Sequence, residues 1–248
     1  NNIMDIILYK YTFVNKKTVF YSKLLSGSFK IALRNCGIME KKQLRFFMNQ
    51  TSIYGPYEAH LKQILEQLLG QIERASQEQK KKTGFKLYEH ISARIKSSES
   101  MLDKCQRKGL PATTESALKQ IRDSIGIRII CGFVDDIYQT VAFIKSLDGV
   151  SVYNEKDFVF EAKPNGYRSY HLILEVETPF EDCLGQNPGT YFVEVQLRTI
   201  AMDSWASLEH QLKYKKDIQN PERIVKELKR CADELASCDL TMQTIRNL

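Results

Sequence analysis

Val193-Glu194-Val195-Gln196-Leu197-Arg198-Thr199 constrains the fold more than any other stretch of this chain. Apolar residues at every second position mark a strand with one side in a hydrophobic core. Successive strand residues face opposite ways, so Glu194, Gln196 and Arg198 share the other side. Charges on a half-buried strand are costly unless something meets them. That side reads as the floor of a polar cleft on a sheet.

A second stretch, Lys163-Pro164-Asn165-Gly166-Tyr167-Arg168-Ser169-Tyr170-His171, gathers cations, an Asn-Gly turn, an aromatic ring and a histidine. Cations suit phosphates, a flexible turn approaches them closely, and a ring stacks on a base. The combination is what gripping a purine nucleoside triphosphate needs.

The 248 residues allow one large domain or a domain with an extension, and the 43% hydrophobic content supports an ordinary core. A net charge of +6 is mildly basic. It fits a protein with small polyanionic ligands better than a dedicated nucleic-acid binder; contact with nucleic acid is possible but not required. The six cysteines (36, 105, 131, 183, 231 and 238) have no zinc spacing, and Cys131 and Cys231 read as core fillers. A reducing cytoplasm without structural metal is expected. No apolar run reaches a membrane span, and the start has no signal-peptide pattern. Residues 1–38 show no period, and Met4 or Met39 is a candidate biological start.

Helical spacing of Tyr57, Leu61, Ile64, Leu65, Leu68, Leu69 and Ile72 predicts a helix that ends or frays in the lysine-rich run Ser76–Gly84. A second helix is expected over Leu87–Arg107 and a short one over Thr114–Arg122. Ile125–Cys131 reads as a central strand. Asp135 and Asp136 are expected to cap a helix reaching Leu147. Strands at Val150–Tyr153, Lys156–Phe160, Tyr170–Glu177 and Thr190–Arg198 follow, then a helix over Ile200–Tyr214. A long amphipathic helix after Pro221 turns Ile224, Leu228, Cys231, Leu235 and Ile245 to one side. The fold class is α/β (α+β), a mixed sheet of about five strands flanked by helices. The expected parts are an extension (1–44), a catalytic domain (45–218) and a C-terminal helix for oligomerisation (219–248).

On the expected second helix, Ser97, Ser100 and Lys104 fall within an arc of roughly 60°, with Arg94 about 60° further round. Such a face holds a triphosphate, although a solvated face with charge pairs has the same pattern. Asp123, at a strand entrance, suits magnesium, which takes few carboxylates plus substrate phosphates; a turn aspartate reads alike. Arg128 inside an apolar strand faces either a ligand or a structural ion pair. Glu194 beside a metal is placed to take a proton from a ribose hydroxyl. Tyr167 is a base-stacking ring or a core tyrosine, and His171 a phosphate contact or a core histidine. No P-loop or dinucleotide fingerprint occurs.

In this order the motifs resemble the synthetase domain of the RelA/SpoT family, the GTP pyrophosphokinases, and its small alarmone synthetase branch. The matching pieces are Arg94-Ile-Lys96 with Ser100 and Lys104, Asp123-Ser-Ile-Gly-Ile-Arg128, Lys156-Asp157-Phe158, Lys163 to His171, Glu194-Val-Gln196-Leu-Arg198-Thr, and Ile200 to His210. The resemblance implies a polymerase β-like nucleotidyltransferase fold. It also implies transfer of pyrophosphate from ATP to the 3′-hydroxyl of GDP or GTP. Arg94 and Arg128 would sandwich adenine, and Lys96, Ser100 and Lys104 would hold the ATP phosphates. Asp123 and Glu194 would ligate Mg2+, with Glu194 also the base. Tyr167 would stack on guanine, Lys156, Lys163, Asn165 and His171 would line the acceptor's phosphates, and Gln196 and Glu209 would support that site. Phe158, where the family usually has Tyr, and Ser124 are departures.

Two further expectations come with the resemblance. Without the His-Asp pair of the family's hydrolase domain, synthesis without hydrolysis is expected. Small members also form tetramers, so a homo-oligomer is expected. Rival readings are a toxic relative that pyrophosphorylates tRNA or makes adenosine alarmones, and an inactive nucleotide- or RNA-binding regulator.

Overall fold

The computed structural model describes residues 52–213 and 221–248. The expected extension, 1–44, lies outside the described residues, as does 214–220. The order is α1 (Glu58–Thr83), β1 (His90–Ile95), α2 (Ser98–Arg107), a π turn (Ser116–Gln120), β2 (Ile125–Cys131), α3 (Val134–Lys145), β3 (Val150–Asp157), β4 (Tyr170–Thr178), β5 (Gly189–Thr199), α4 (Ile200–Lys213) and α5 (Pro221–Arg246).

One mixed sheet runs β1-β2-β5-β4-β3. Only the β2–β5 pair is parallel. The alternation read from the sequence gives the sheet its two sides. Ile125, Ile127 and Ile129 of β2, Val193, Val195 and Leu197 of β5, and Leu172 and Leu174 of β4 are buried together. Leu61, Ile64, Met101 and Ile137, from α1, α2 and α3, complete that core. The opposite side keeps the polar members of each alternation.

Several expectations give way. The lysine-rich end of α1 stays helical to Thr83, where Gly84 caps it at φ 81° and its N–H reaches Lys80 O at 2.9 Å. Lys80, Lys81 and Lys82 suit a helix C-terminus, whose carbonyls carry partial negative charge. No helix spans Leu87–Arg107. His90–Ile95 is a strand whose exposure alternates, and α2 starts only after Ser97, its N-cap. Period two wins there because Ile91, Ala93 and Ile95 pack on the core while β1 pairs with β2. Arg94 is therefore on a strand and not on a helix face with Ser100 and Lys104. Asp135 and Asp136 lie in the first turn of α3, and its N-cap Phe133 makes no side-chain cap. The two expected strand pieces before the Asn-Gly turn form one strand, β3, with an irregularity between Val152 and Asn154.

The C-terminal helix departs most. Trp205, Ala206 and Ala232 make a small second cluster with Tyr167, Leu228 and Leu235. Cys231 and Ile245, expected inward, are exposed. The inner side of the last turns is polar instead: Asp239 accepts from Thr199 Oγ1 at 2.7 Å and Arg246 pairs with Asp136 at 2.5 Å. Among the described residues no helix is long and apolar enough to cross a membrane.

Candidate active site

Strand register arranges the polar side of the sheet in rows. One row runs Arg94, Gly126, Glu194, Ile173 and Asn154; the next runs Ser92, Arg128, Gln196, His171 and Lys156. Six of the residues expected to serve the nucleotides thus share one side: Glu194 and Gln196 in the middle, Arg94 and Arg128 toward β1, His171 and Lys156 toward β3.

At the entrance of β2, Asp123 Oδ2 takes ammonium groups from two elements. Lys104 of α2 approaches to 2.5 Å, and Lys96, just before α2, also donates to it. Lys96 is fixed through its backbone, with its N–H on Ser124 O at 2.8 Å and its carbonyl accepting from Tyr54 Oη at 2.7 Å. Burial pushes the Asp123 carboxyl up, but Lys104 and Lys96 outweigh it and hold it below the usual carboxylate range. Its second oxygen, Oδ1, is buried with no hydrogen-bond partner among the described residues. Ser97, capping α2, hydrogen-bonds Ser100 through its side chain. Glu194 is half-buried and makes no ion pair among the described residues.

The other half of the site is held from α4. Arg198, 7% exposed, donates to Asp203 Oδ1 at 2.9 Å, Tyr167 Oη at 2.8 Å and Gln196 Oε1 at 3.2 Å. Arg128 lies 3.9 Å from the same Asp203 oxygen. Asn165 Nδ2 donates to Glu209 Oε1 at 3.2 Å. The turn itself needs Gly166: φ is +90°, and a Cβ there would sit 2.5 Å from Ala232 Cβ in α5. Lys163 Nζ lies over the rings of Phe158 and Tyr167, 4.6 and 4.8 Å from their centroids, so a base stacking on that side of Tyr167 must displace it.

His171 packs edge-on to Phe158 and Tyr167, with Nε2 at 2.9 Å from Tyr167 Oη. Burial, then Arg198, Lys163 and Lys156, push its pKa down from 6.5 to about 4. The ring is therefore neutral near pH 7 and can contact a phosphate only as a hydrogen-bond donor. The unfolded chain takes up this proton near pH 6.5, the folded chain near 4. The stability that His171 contributes is present above 6.5 and is lost as pH falls through that window. NMR titration of the ring should give a midpoint near 4, rising when a nucleoside triphosphate binds. A midpoint near 6.5 would contradict the environment described.

Two members of this network were not singled out as site residues from the sequence. Asp203, which joins Arg128 to Arg198, lies in the Ile200–His210 stretch that carries part of the family resemblance. Arg198 was placed on the cleft floor but given no partner. Its signal was visible, since a cation in an apolar strand demands an acceptor.

A five-stranded mixed sheet with a polar side fed by lysines, arginines and two carboxylates defines a nucleotide-handling α/β protein. A family model for the region found in RelA/SpoT proteins matches residues 93–219. GTP pyrophosphokinase YwaC of Bacillus subtilis is 41% identical over 150 residues, which is 60% of this chain and 70% of that protein. GTP pyrophosphokinase YjbM of the same organism is 35% identical over 64% of this chain and 72% of its own length. Among solved structures, Bacillus subtilis small alarmone synthetase 1 with its product pppGpp superposes with a TM-score of 0.65, at 27% identity, over 84% of this chain and 98% of that one. Small alarmone synthetase 2 of that organism gives 0.63 at 36% identity, over 75% and 95%. The chain belongs to the RelA/SpoT family.

Proposed function

We propose that this protein is a GTP pyrophosphokinase that transfers pyrophosphate from ATP to the 3′-hydroxyl of GDP or GTP, making ppGpp or pppGpp and AMP. The observation that carries it is the row of Arg94, Gly126 and Glu194 beside the Asp123–Lys96–Lys104 cluster, on the side of the sheet that also holds Tyr167 and His171. The similar YwaC and YjbM proteins bear the same activity in their names, and related structures hold pppGpp and an ATP analogue, AMPCPP.

Arg94 and Arg128 take the adenine, since a guanidinium plane stacks on a base. Lys96, Ser100 and Lys104 take the ATP phosphates, with the lysines turning from Asp123 to the incoming charge. Tyr167 receives guanine, Lys156, Lys163, Asn165 and His171 the acceptor's phosphates, and Gln196 and Glu209 brace that half. Glu194, with no cation of its own among the described residues, accepts the 3′-hydroxyl proton. In-line phosphoryl transfer depends mainly on such alignment and charge neutralisation.

Mg2+ fits these residues. Among the described residues, Asp123 offers a buried oxygen without a hydrogen-bond partner, and Glu194 a carboxylate without an ion pair. Hard oxygens of this kind suit magnesium, which completes its shell with phosphates and water. Bound there, it would offset charge on the transferring phosphates and acidify the acceptor hydroxyl.

We place the reaction in the cytoplasm, where ATP and GTP are at hand, and propose a homotetramer. Leu208, Leu212, Val225, Leu240, Met242 and Ile245 are exposed on α4 and α5 and support self-association; light scattering after gel filtration tests it.

The test of activity is chromatography of the purified chain with ATP, Mg2+ and either GDP or GTP. AMP should appear in step with a 3′-pyrophosphorylated guanosine nucleotide. Label reaching only tRNA or adenosine nucleotides, or none transferred by folded protein, would overturn the assignment.

A further inference from the structure

Gly126 lies in the middle of the site, yet nothing in the fold requires a glycine there. It is the second residue of β2 and is flanked by Arg94 of β1 and Glu194 of β5. Its φ lies outside the left-handed region. An added Cβ would meet its nearest neighbour, Arg94 O, at 3.9 Å, an ordinary contact. Gly189 is different: a Cβ there would sit 2.4 Å from Phe180 O. Glycine inside a strand weakens it, and often marks a place where a ligand or another backbone comes close. Among the described residues, and its chain neighbours aside, no other backbone atom comes within 4 Å of where a Cβ on Gly126 would sit.

The missing side chain leaves a gap. Arg94 walls one side and Glu194 the other, and Arg128 follows two residues along on the same face. We propose that Gly126 is a specificity-determining position whose bare backbone seats the donor nucleoside between Arg94 and Arg128. Any side chain there would lift the adenosine off the sheet and carry its phosphates away from Lys96, Lys104 and Asp123. The inference rests on the reading of Arg94 and Arg128 as donor-site residues.

Gly126→Ala and Gly126→Val test it, through melting temperature and steady-state kinetics with ATP and GTP varied separately. Gly126→Ala should melt at or above the temperature of the unsubstituted chain, because the strand has room for the added Cβ. The KM for ATP should rise by a few-fold in Gly126→Ala and by about tenfold or more in Gly126→Val, with the KM for GTP little changed. Three results would each overturn the inference: an unchanged KM for ATP in Gly126→Val, a rise in the KM for GTP alone, or a lower melting temperature in Gly126→Ala. The last would make the glycine a structural requirement. If the unsubstituted chain made no alarmone, the synthetase assignment would fail by itself. Binding of AMPCPP to the same variants would then decide the role of Gly126, with weaker binding supporting it and equal binding overturning it.

Discussion

Glu194→Gln should lower alarmone synthesis by roughly a thousandfold while leaving the melting temperature where it was, since a positioned base contributes about 10²–10⁴. The substitution keeps the side chain's size and removes only its charge. Glu194 has no ion pair to lose among the described residues. It is half-buried beside Val193 and Val195, both fully buried, so losing the charge relieves desolvation and costs no structural contact. Stability and catalysis therefore separate at this position. Initial rates with labelled ATP, together with a thermal melt, check both halves. A folded variant retaining more than about a tenth of the rate would remove Glu194 from the chemistry, because that is less than general-base catalysis supplies.

Arg198→Met should damage both properties. The methionine fills much of the same space but leaves Asp203, Tyr167 and Gln196 without their shared donor. Breaking a buried ion pair by removing one partner costs about 3–5 kcal/mol. Here the figure should be nearer 2 kcal/mol, because Asp203 is 30% exposed and Arg128 stands close enough to replace the lost cation. The loss in function should fall on the acceptor. Tyr167 would keep only His171 on its hydroxyl, and His171 would lose a positive neighbour, so its pKa should rise from about 4. The KM for GTP should rise more than that for ATP. Equal effects on the two would show that Arg198 acts only through general stability.

Sequence periodicity exposed the parts of the fold in which one side of an element is buried. β2 could be read because it is a short apolar, β-branched run, and β5 because it alternates an apolar set with a polar one, which puts Glu194 and Gln196 on the polar side of the sheet. β1 was misread as helix. It is the edge strand beside β2, its outward residues His90, Ser92 and Arg94 are exposed, and Ile91, Ala93 and Ile95 are only half-buried. Its apolar signal is too thin to separate period two from the helical period. The error changed the geometry but not the candidates, because Arg94 and Lys96 were also carried by a motif. The docking of α5 was hidden for a different reason. Its last turns attach through Asp239 and Arg246, polar residues that a search for an apolar stripe assigns to solvent. Asp239 shows what that attachment costs: burial raises its carboxyl above the usual range despite the hydrogen bond from Thr199 and the charge of Arg168. Asp203 was missed because ion-pair partners that meet across elements leave no local pattern.

The proposal that Asp123 and Glu194 share one divalent ion is tested most directly by locating such an ion. Crystals of the chain with AMPCPP and manganese, examined by anomalous scattering, should show an ion contacting one oxygen from each carboxylate, with Lys96 and Lys104 turned to the analogue's phosphates. An ion held by one carboxylate alone, with the lysines still on Asp123, would contradict it.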